Sequence, residues 1–461
     1  MFEDLIVLLP GITGSVLTDP RGRDVWAPSG SAVFRALRSF GGSVAGLELA
    51  TDPGASDDLL TATRLVPDVS LVPGLIKIDG YGEIARYLMR ELGLVEGQNY
   101  HPFPYDWRKD NRESAAQLQE LALHWLNEWR ELSRNANAKL VLIAHSMGGL
   151  VARWFVECLG GFRDTRLLIT LGTPHRGALN ALGFIEHGMK KGVGPFGVDL
   201  SPLLRSCPSV YQLLPTYPCI VADGAPERVV EAAERRDVRV LQYVDAARAQ
   251  AAREFHRDII TAQAKNAQTA AYTASGYTLV PVIGITQPTA QSLVSEAGRS
   301  TLTNALQGED LGGDGTVPRV SALPIELEEA GREVYAAESH GALQNAAATL
   351  AFLRGILTRT QIDFRKYQRA SDTVPVTMEV DDVVLPGEAL RVRARPLEGA
   401  APIAVTFAPL AGGDPIDESL AREDSTGWQH GEFDLPAGAW RVTARSAQAG
   451  SVSELVVVAE S

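Results

Sequence analysis

The sequence predicts an α/β protein: a doubly wound, mostly parallel sheet with long cap or lid insertions, followed by a small all-β sandwich. Three observations carry this. Short apolar runs alternate with helix-period segments as far as residue 357. Two long stretches, 15–76 and 176–277, interrupt that alternation. After residue 372 helix periodicity stops and turn-bounded, alternating segments replace it.

The apolar runs are LIVLL (5–9), KLVLIA (139–144), RLLITL (166–171), LVPVIGI (279–285) and EVYA (333–336), each bounded by Gly, Pro or charge. Continuous rather than alternating apolar runs suit strands buried on both faces of a parallel sheet. Helical patterns fall at 81–92, 113–132, 147–159 and 342–357, and alternation of the two kinds is the mark of a doubly wound sheet. The Ala-rich stretch 246–271 reads as a polar helix. Long insertions carry function or their own structure. Lid or cap elements over a pocket are therefore expected at about 26–76 and 176–277. The apolar residues of VFRALRSFGGSVAGLEL (33–49) suit transient contact with a lipid surface. Segments such as VPVTMEV (374–380), EALRVRARP (388–396) and AWRVTARS (439–446) have the spacing of a sandwich. The expected division is a catalytic domain over 1–370 and a β-sandwich over 372–461.

The formal charge is −13, and residues 371–461 hold 15 acidic residues against 6 arginines, so most of the negative charge lies on the sandwich. That makes it a solubilising appendage or a surface for a protein partner. No basic patch stands out, which argues against nucleic acid. Three cysteines (Cys158, Cys207, Cys219) do not make a disulfide framework in a chain of 461 residues. The start, MFEDLIVLLPG, has two acids and no basic leader region, so it reads as a strand rather than a signal peptide. With no run of 18 apolar residues, a membrane-spanning helix is not expected and the cytoplasm is the default location.

VLIAHSMGGLVARW (141–154) is a strand, a sharp turn and a helix, with Ser146 at the apex. It fits the nucleophile-elbow pattern G-x-S-x-G with Ala144 in the first glycine place. The turn would expose the hydroxyl at the carboxyl edge of the sheet and aim the Met147 N–H at the reacting oxygen. A serine needs a base. His340, in EVYAAESHGALQN, follows the last strand; His175, in GTPHRG, is the rival and would sit at the pocket rim. His145 adjoins the nucleophile but faces away, and the other five histidines lack such context. The base needs an acid to fix its tautomer. Asp314 in LGGDGTVP fits, with Asp310 the alternative. The order Ser146, Asp314, His340 is that of an α/β-hydrolase. LLPGITGS (8–15) follows the first strand, and Thr13 or Ile12 would supply the second oxyanion donor. This chemistry needs no metal or cofactor.

Taken together, LLPGITGSVL, PGLIKIDGYGEIARYLMREL, PFPYDWRKD, IAHSMGGLVARWF, ITLGTPHRGA, GGDGTVP and ESHGAL are collinear blocks over about residues 5–357. They resemble the lecithin:cholesterol acyltransferase family and its lysosomal phospholipase relatives. The PYDWR block (105–108 with Pro104) combined with GDGTVP is the more specific part. The resemblance implies an α/β-hydrolase with a cap and lid acting on acyl esters of lipids. It implies Ser146, Asp314 and His340 as the triad, Thr13 and Met147 as oxyanion donors, and a lid beginning near Trp26. Two departures matter: no cysteine precedes Cys158, so the lid disulfide of secreted members cannot form, and the β-rich tail lies outside the family pattern. The GTPHRG block looks more like that of bacterial triacylglycerol lipases. The expected function is that of a serine esterase, lipase, phospholipase or O-acyltransferase. Two other readings stay open: a non-catalytic scaffold binding a partner through the acidic sandwich, and an amidase with the same triad.

Overall fold

The computed structural model describes residues 2–27, 47–49, 59–67, 70–72, 76–191, 198–222, 225–235, 240–296, 299–328, 330–358, 376–385, 387–397, 401–422, 427–446 and 450–459. Of the expected lid segment 33–49 only residues 47–49 are described, and 28–46 and 50–58 lie outside the described residues.

Six strands form the central sheet: β1 (Leu5–Leu9), β2 (Tyr100–Pro102), β3 (Leu140–His145), β4 (Thr165–Leu171), β5 (Thr278–Gly284) and β6 (Val334–Ala336). Their spatial order is β6-β5-β4-β3-β1-β2, and every neighbouring pair is parallel. Successive side chains alternate between faces. Leu5, Val7, Leu9, Leu140 and Leu142 pack on one face, under α2 (Asn111–Ser133) and α3 (Gly148–Arg153). Ile6, Leu8, Val141, Ile143 and Ile169 pack on the other, under α1 (Gly82–Leu92) and α5 (Ala347–Leu357). Both faces are covered, which is why the strands read as unbroken apolar runs. The edge strand β2 was not expected: its three residues YHP end in proline and have no run to read.

The helices start and stop on local signals. Asp110 accepts from the Arg112 N–H at 2.8 Å as the N-cap of α2. Asp245 caps α4 (Ala246–Ala267) in the same way, accepting from Arg248 N–H at 2.9 Å. Gly93 closes α1 in the left-handed region. The pattern at 147–159 predicts one helix; α3 instead widens into a π-turn over Trp154–Cys158, where Trp154 stacks on Phe255 of α4 at 5.2 Å.

The second insertion builds helices over the carboxyl edge of the sheet. Its small sheet runs in the order 225–227, 220–222, 292–296, 299–303, so it draws two strands from beyond residue 277. The C-terminal part forms a four-stranded and a five-stranded sheet, antiparallel apart from the two-residue pairing of 383–384 with 451–458. Its core includes Val392, Val405, Phe407, Val442 and Val456. Leu390–Pro396 buries alternate residues and turns Arg391 and Arg393 outward, as a sandwich strand must. The molecule is thus an α/β-hydrolase with an appended β-domain. All three cysteines are free. Among the described residues no helix is long and apolar enough to cross a membrane.

Candidate active site

The strand order reverses between β1 and β3, and the crevice at that reversal is where open α/β sheets bind ligands. The chain leaves β3 at His145, bends at Ser146 and enters α3 at Gly148. Ser146 has φ of 52°, in a region a residue with a Cβ rarely adopts. The bend packs closely because Gly148 and Gly149, two and three positions on, lack side chains. A Cβ on Gly148 would lie 2.4 Å from the Pro10 carbonyl oxygen, and one on Gly149 would lie 2.0 Å from Thr173 Oγ1. That Thr173 hydroxyl donates to the Ser146 carbonyl at 2.9 Å and fixes the turn from the far side. The expectation that the elbow raises the hydroxyl into solvent needs correction: Ser146 is only 6% exposed and faces a cavity. The second insertion and the β-domain wall it in.

His340 and Asp314 arrive from distant segments. His340 Nε2 lies 2.9 Å from Ser146 Oγ, and His340 Nδ1 lies 2.8 Å from Asp314 Oδ2. With Nδ1–H donating to the carboxylate, Nε2 is left to accept from the serine hydroxyl. The other Asp314 oxygen accepts from the backbone N–H groups of Thr316 (3.0 Å) and Val317 (2.7 Å). The Asp314 carbonyl accepts from His340 N–H at 2.8 Å, so the two loops are also joined through backbone. Asp314 is 1% exposed.

The loop after β1 lies against the elbow. Ile12 lines the cavity, whereas Thr13 is fully buried, with φ of 62°. Among the described residues neither the Ile12 nor the Met147 N–H has an acceptor. Buried side chains hold this loop. Trp26 Nε1–H donates to the Thr13 carbonyl at 3.1 Å, and Tyr105 O–H donates to the Pro10 carbonyl at 2.9 Å. Tyr105 belongs to the PYDWR block, whose Arg108 is fully buried in a two-point pair with Asp106 (2.9 and 2.6 Å) and donates to the Leu47 carbonyl. The block is therefore scaffold behind the site.

Sequence reasoning missed a buried chain beneath the triad. Gly11 N–H donates to Tyr81 Oη at 2.7 Å, Tyr81 O–H donates to His145 Nδ1 at 2.9 Å, and His145 Nε2–H donates to the His340 carbonyl at 3.0 Å. One neutral tautomer satisfies all three links. Burial first, and the His340 charge second, push the His145 pKa down to about 3, so the ring stays neutral. The only sequence signal was a histidine beside the nucleophile. Its side chain does turn away from Ser146, but it turns toward the backbone of His340.

Two weaker candidates lie elsewhere. His175 is not at the pocket rim: it is half-buried, 3.2 Å from Thr170 Oγ1, in a separate small cavity with Arg153 and His256. Asp310 accepts from Gln291 Nε2 at 2.7 Å and from Gly312 N–H, and has no contact with His340. The triad cavity is about 230 Å³, with Ala181, Phe184, Leu204, Val210 and Leu213 of the second insertion as its apolar wall. Asp382 and Glu454 of the β-domain also line it. Among the described residues there is no cluster of three or more metal-ligating side chains.

A family model described as lecithin:cholesterol acyltransferase matches residues 75–304, a span that holds the elbow but ends before Asp314 and His340. Over that span, just under half of its length, the chain resembles the lecithin:cholesterol acyltransferase family, and its fold is that of an α/β-hydrolase. It is similar to lecithin-cholesterol acyltransferase-like 4 of Arabidopsis thaliana, 27% identical over 240 residues, 45% of this chain and 42% of that protein. It is also similar to the uncharacterized protein YJR098C of Saccharomyces cerevisiae, 29% identical over 190 residues, 40% of this chain and 25% of that one. The chain thus spans less than half the length of either relative. Among solved structures, the mature form of the Bacillus licheniformis lipase BlEst2 aligns at a TM-score of 0.34 and 12% identity, covering 77% of this chain and 92% of the lipase.

Proposed function

We propose that the protein is a serine esterase that cleaves acyl esters of lipids through an acyl-serine intermediate. The observation that carries the reading is the relay of 2.9 and 2.8 Å joining Ser146, His340 and Asp314 at the floor of an apolar-walled cavity. The family likeness favours lipid esters over amides.

In this mechanism His340 Nε2 takes the Ser146 proton as Oγ attacks the ester carbonyl. Asp314 holds the ring and stabilises the imidazolium. The tetrahedral oxyanion is held by the Met147 N–H and by a second N–H from the Ile12–Thr13 segment, a type of contact worth about 100- to 1000-fold in rate. The imidazolium then protonates the leaving alcohol. Water or a second alcohol, activated by the same histidine, attacks the acyl-serine. The acceptor alone separates hydrolase from acyltransferase. The apolar wall suits an acyl chain.

The test is a fluorophosphonate label on the full chain, paired with lipid analysis of phospholipid and acylglycerol vesicles. Covalent labelling and release of fatty acid by the wild type, both lost in Ser146→Ala, are expected. Equal labelling of the two proteins would sink the reading.

A further inference from the structure

We propose that the β-domain is part of the catalytic apparatus: its strands 438–446 and 451–458 hold the loop that carries His340 in line with Ser146 and Asp314. This rests on the triad reading above and assigns the domain a positioning role within it.

His340 lies not on a strand or helix but on the loop after β6. A loop has to be fixed by its surroundings if its side chain is to stay aligned. The residues on both sides of His340 are tied to the β-domain. On one side, the Ser339 hydroxyl donates to the Ser453 carbonyl at 2.8 Å. One oxygen of Glu338 accepts from two backbones at once, from Ser339 N–H at 2.9 Å and from Ser453 N–H at 3.2 Å. The carboxylate therefore bridges the catalytic loop and the sandwich strand. On the other side, the Gly341 carbonyl accepts from Asp79 N–H at 2.8 Å, and the buried Asp79 carboxylate pairs with Arg441. Asn345 Nδ2 adds a bond to the Asp79 carbonyl at 2.9 Å.

Arg441 and Ser453 are on neighbouring strands of one sheet. Arg441 pairs with Leu455, Thr443 pairs with Ser453, and the Thr443 and Ser453 side chains bond at 3.0 Å. Two paired strands thus hold the loop at two points about the histidine. The second of them also lends Glu454 to the lining of the triad cavity. A passive appendage would have no reason to place its polar contacts there. Glu338, Ser339, Asp79 and Arg441 are positioning residues, since none of them lies between the serine and the carboxylate.

A small misplacement of a reacting group costs up to about 100-fold. In the full chain, Ser339→Ala, Glu338→Ala and Arg441→Ala should slow fluorophosphonate labelling of Ser146 by about 10- to 100-fold. They should lower kcat on a soluble short-chain ester by a similar factor with KM little changed. Glu338→Gln keeps an oxygen that can accept from both N–H groups, so it should recover most of what Glu338→Ala loses. A merely structural role would reduce the amount of active protein without that split or that recovery. Should Arg441→Ala fail to fold, Ser339→Ala still decides, because it removes a single hydroxyl. Labelling and kcat at the wild-type rate in the folded variants would overturn the proposal while leaving the triad reading intact. A wild type that does not label would overturn both.

Discussion

The two halves of the candidate relay are held in different ways. Ser146 is placed by what lies within three residues of it: a strand end, a φ of 52° and two glycines against Pro10 and Thr173. His340 is placed by partners far along the chain, at Asp314, His145, Asp79 and Ser453. The nucleophile is fixed by backbone geometry and its base by assembly. Local geometry fails abruptly when a single atom is added, whereas an assembled site loses function in steps, one contact at a time.

The largest expected effect falls on the local half. Ser146→Ala should lower turnover by about 10⁴- to 10⁶-fold, measured on any ester the wild type cleaves. Next is Gly148→Ala. Its new methyl meets a backbone oxygen at 2.4 Å, which cannot swing aside as a side-chain end could. The strand–helix packing has to shift, with an expected cost of about 2–4 kcal/mol in stability and at least about 100-fold in kcat. A variant with the wild-type melting point and rate would break the contrast between the halves.

The assembled half should respond more gently. Tyr81→Phe removes one hydroxyl and leaves the Gly11 N–H and His145 Nδ1 without their partner. The expected cost is about 1–3 kcal/mol together with about a 10-fold fall in kcat, because the carbonyl of His340 and the loop bearing Ile12 both lean on that chain. Denaturation and kinetics on the same preparation check it. Loss of stability with kcat unchanged would show the chain to be packing alone.

Legibility in the sequence follows the same division. The long strands could be read because both faces are apolar, and Ser146 could be read because the strand end, the turn and the glycines about it are contiguous. Asp314 and His340 were found by chain order and glycine context, which say nothing of distance. Tyr81 reads in the sequence only as the start of a helix, and the adjacency of His145 to Ser146 says nothing of what lies beneath the turn. The grip of the β-domain was not legible at all. Glu338 and Ser453 are 115 positions apart, and the bond that joins them uses the Ser453 backbone N–H, which every residue type but proline carries. The edge strand β2 and the strands at 292–303 were missed because short or half-exposed strands have no periodic signal.

The smallest expected effect sharpens the comparison through pH. Within the assembled half, beneath the triad, His145 is held neutral, its pKa pushed down to about 3. Its contribution is present above the ordinary histidine value and is lost as pH falls below it, since the unfolded ring takes up a proton that the folded ring refuses. At the β-domain junction the sign is opposite. Burial, with smaller contributions from Glu454 and Asp79, pushes Glu338 up to about 7, against the lowering effect of the Ser339 and Ser453 N–H groups. Burial likewise pushes Asp79 up to about 6, although Arg441 and Asn345 oppose it. For carboxyls raised in this way the folded state retains protons that the unfolded state has released. Their contribution is complete near pH 4 and is lost as pH rises through about 6 for Asp79 and about 7 for Glu338. Glu338→Gln should therefore match the wild-type melting midpoint near pH 5 and exceed it by about 2–4 °C at pH 8. Because the glutamine still accepts from both backbones, that gain should come with little loss of kcat. A variant equal to the wild type at both pH values would place the Glu338 carboxylate in solvent and weaken the case that it bridges the two domains.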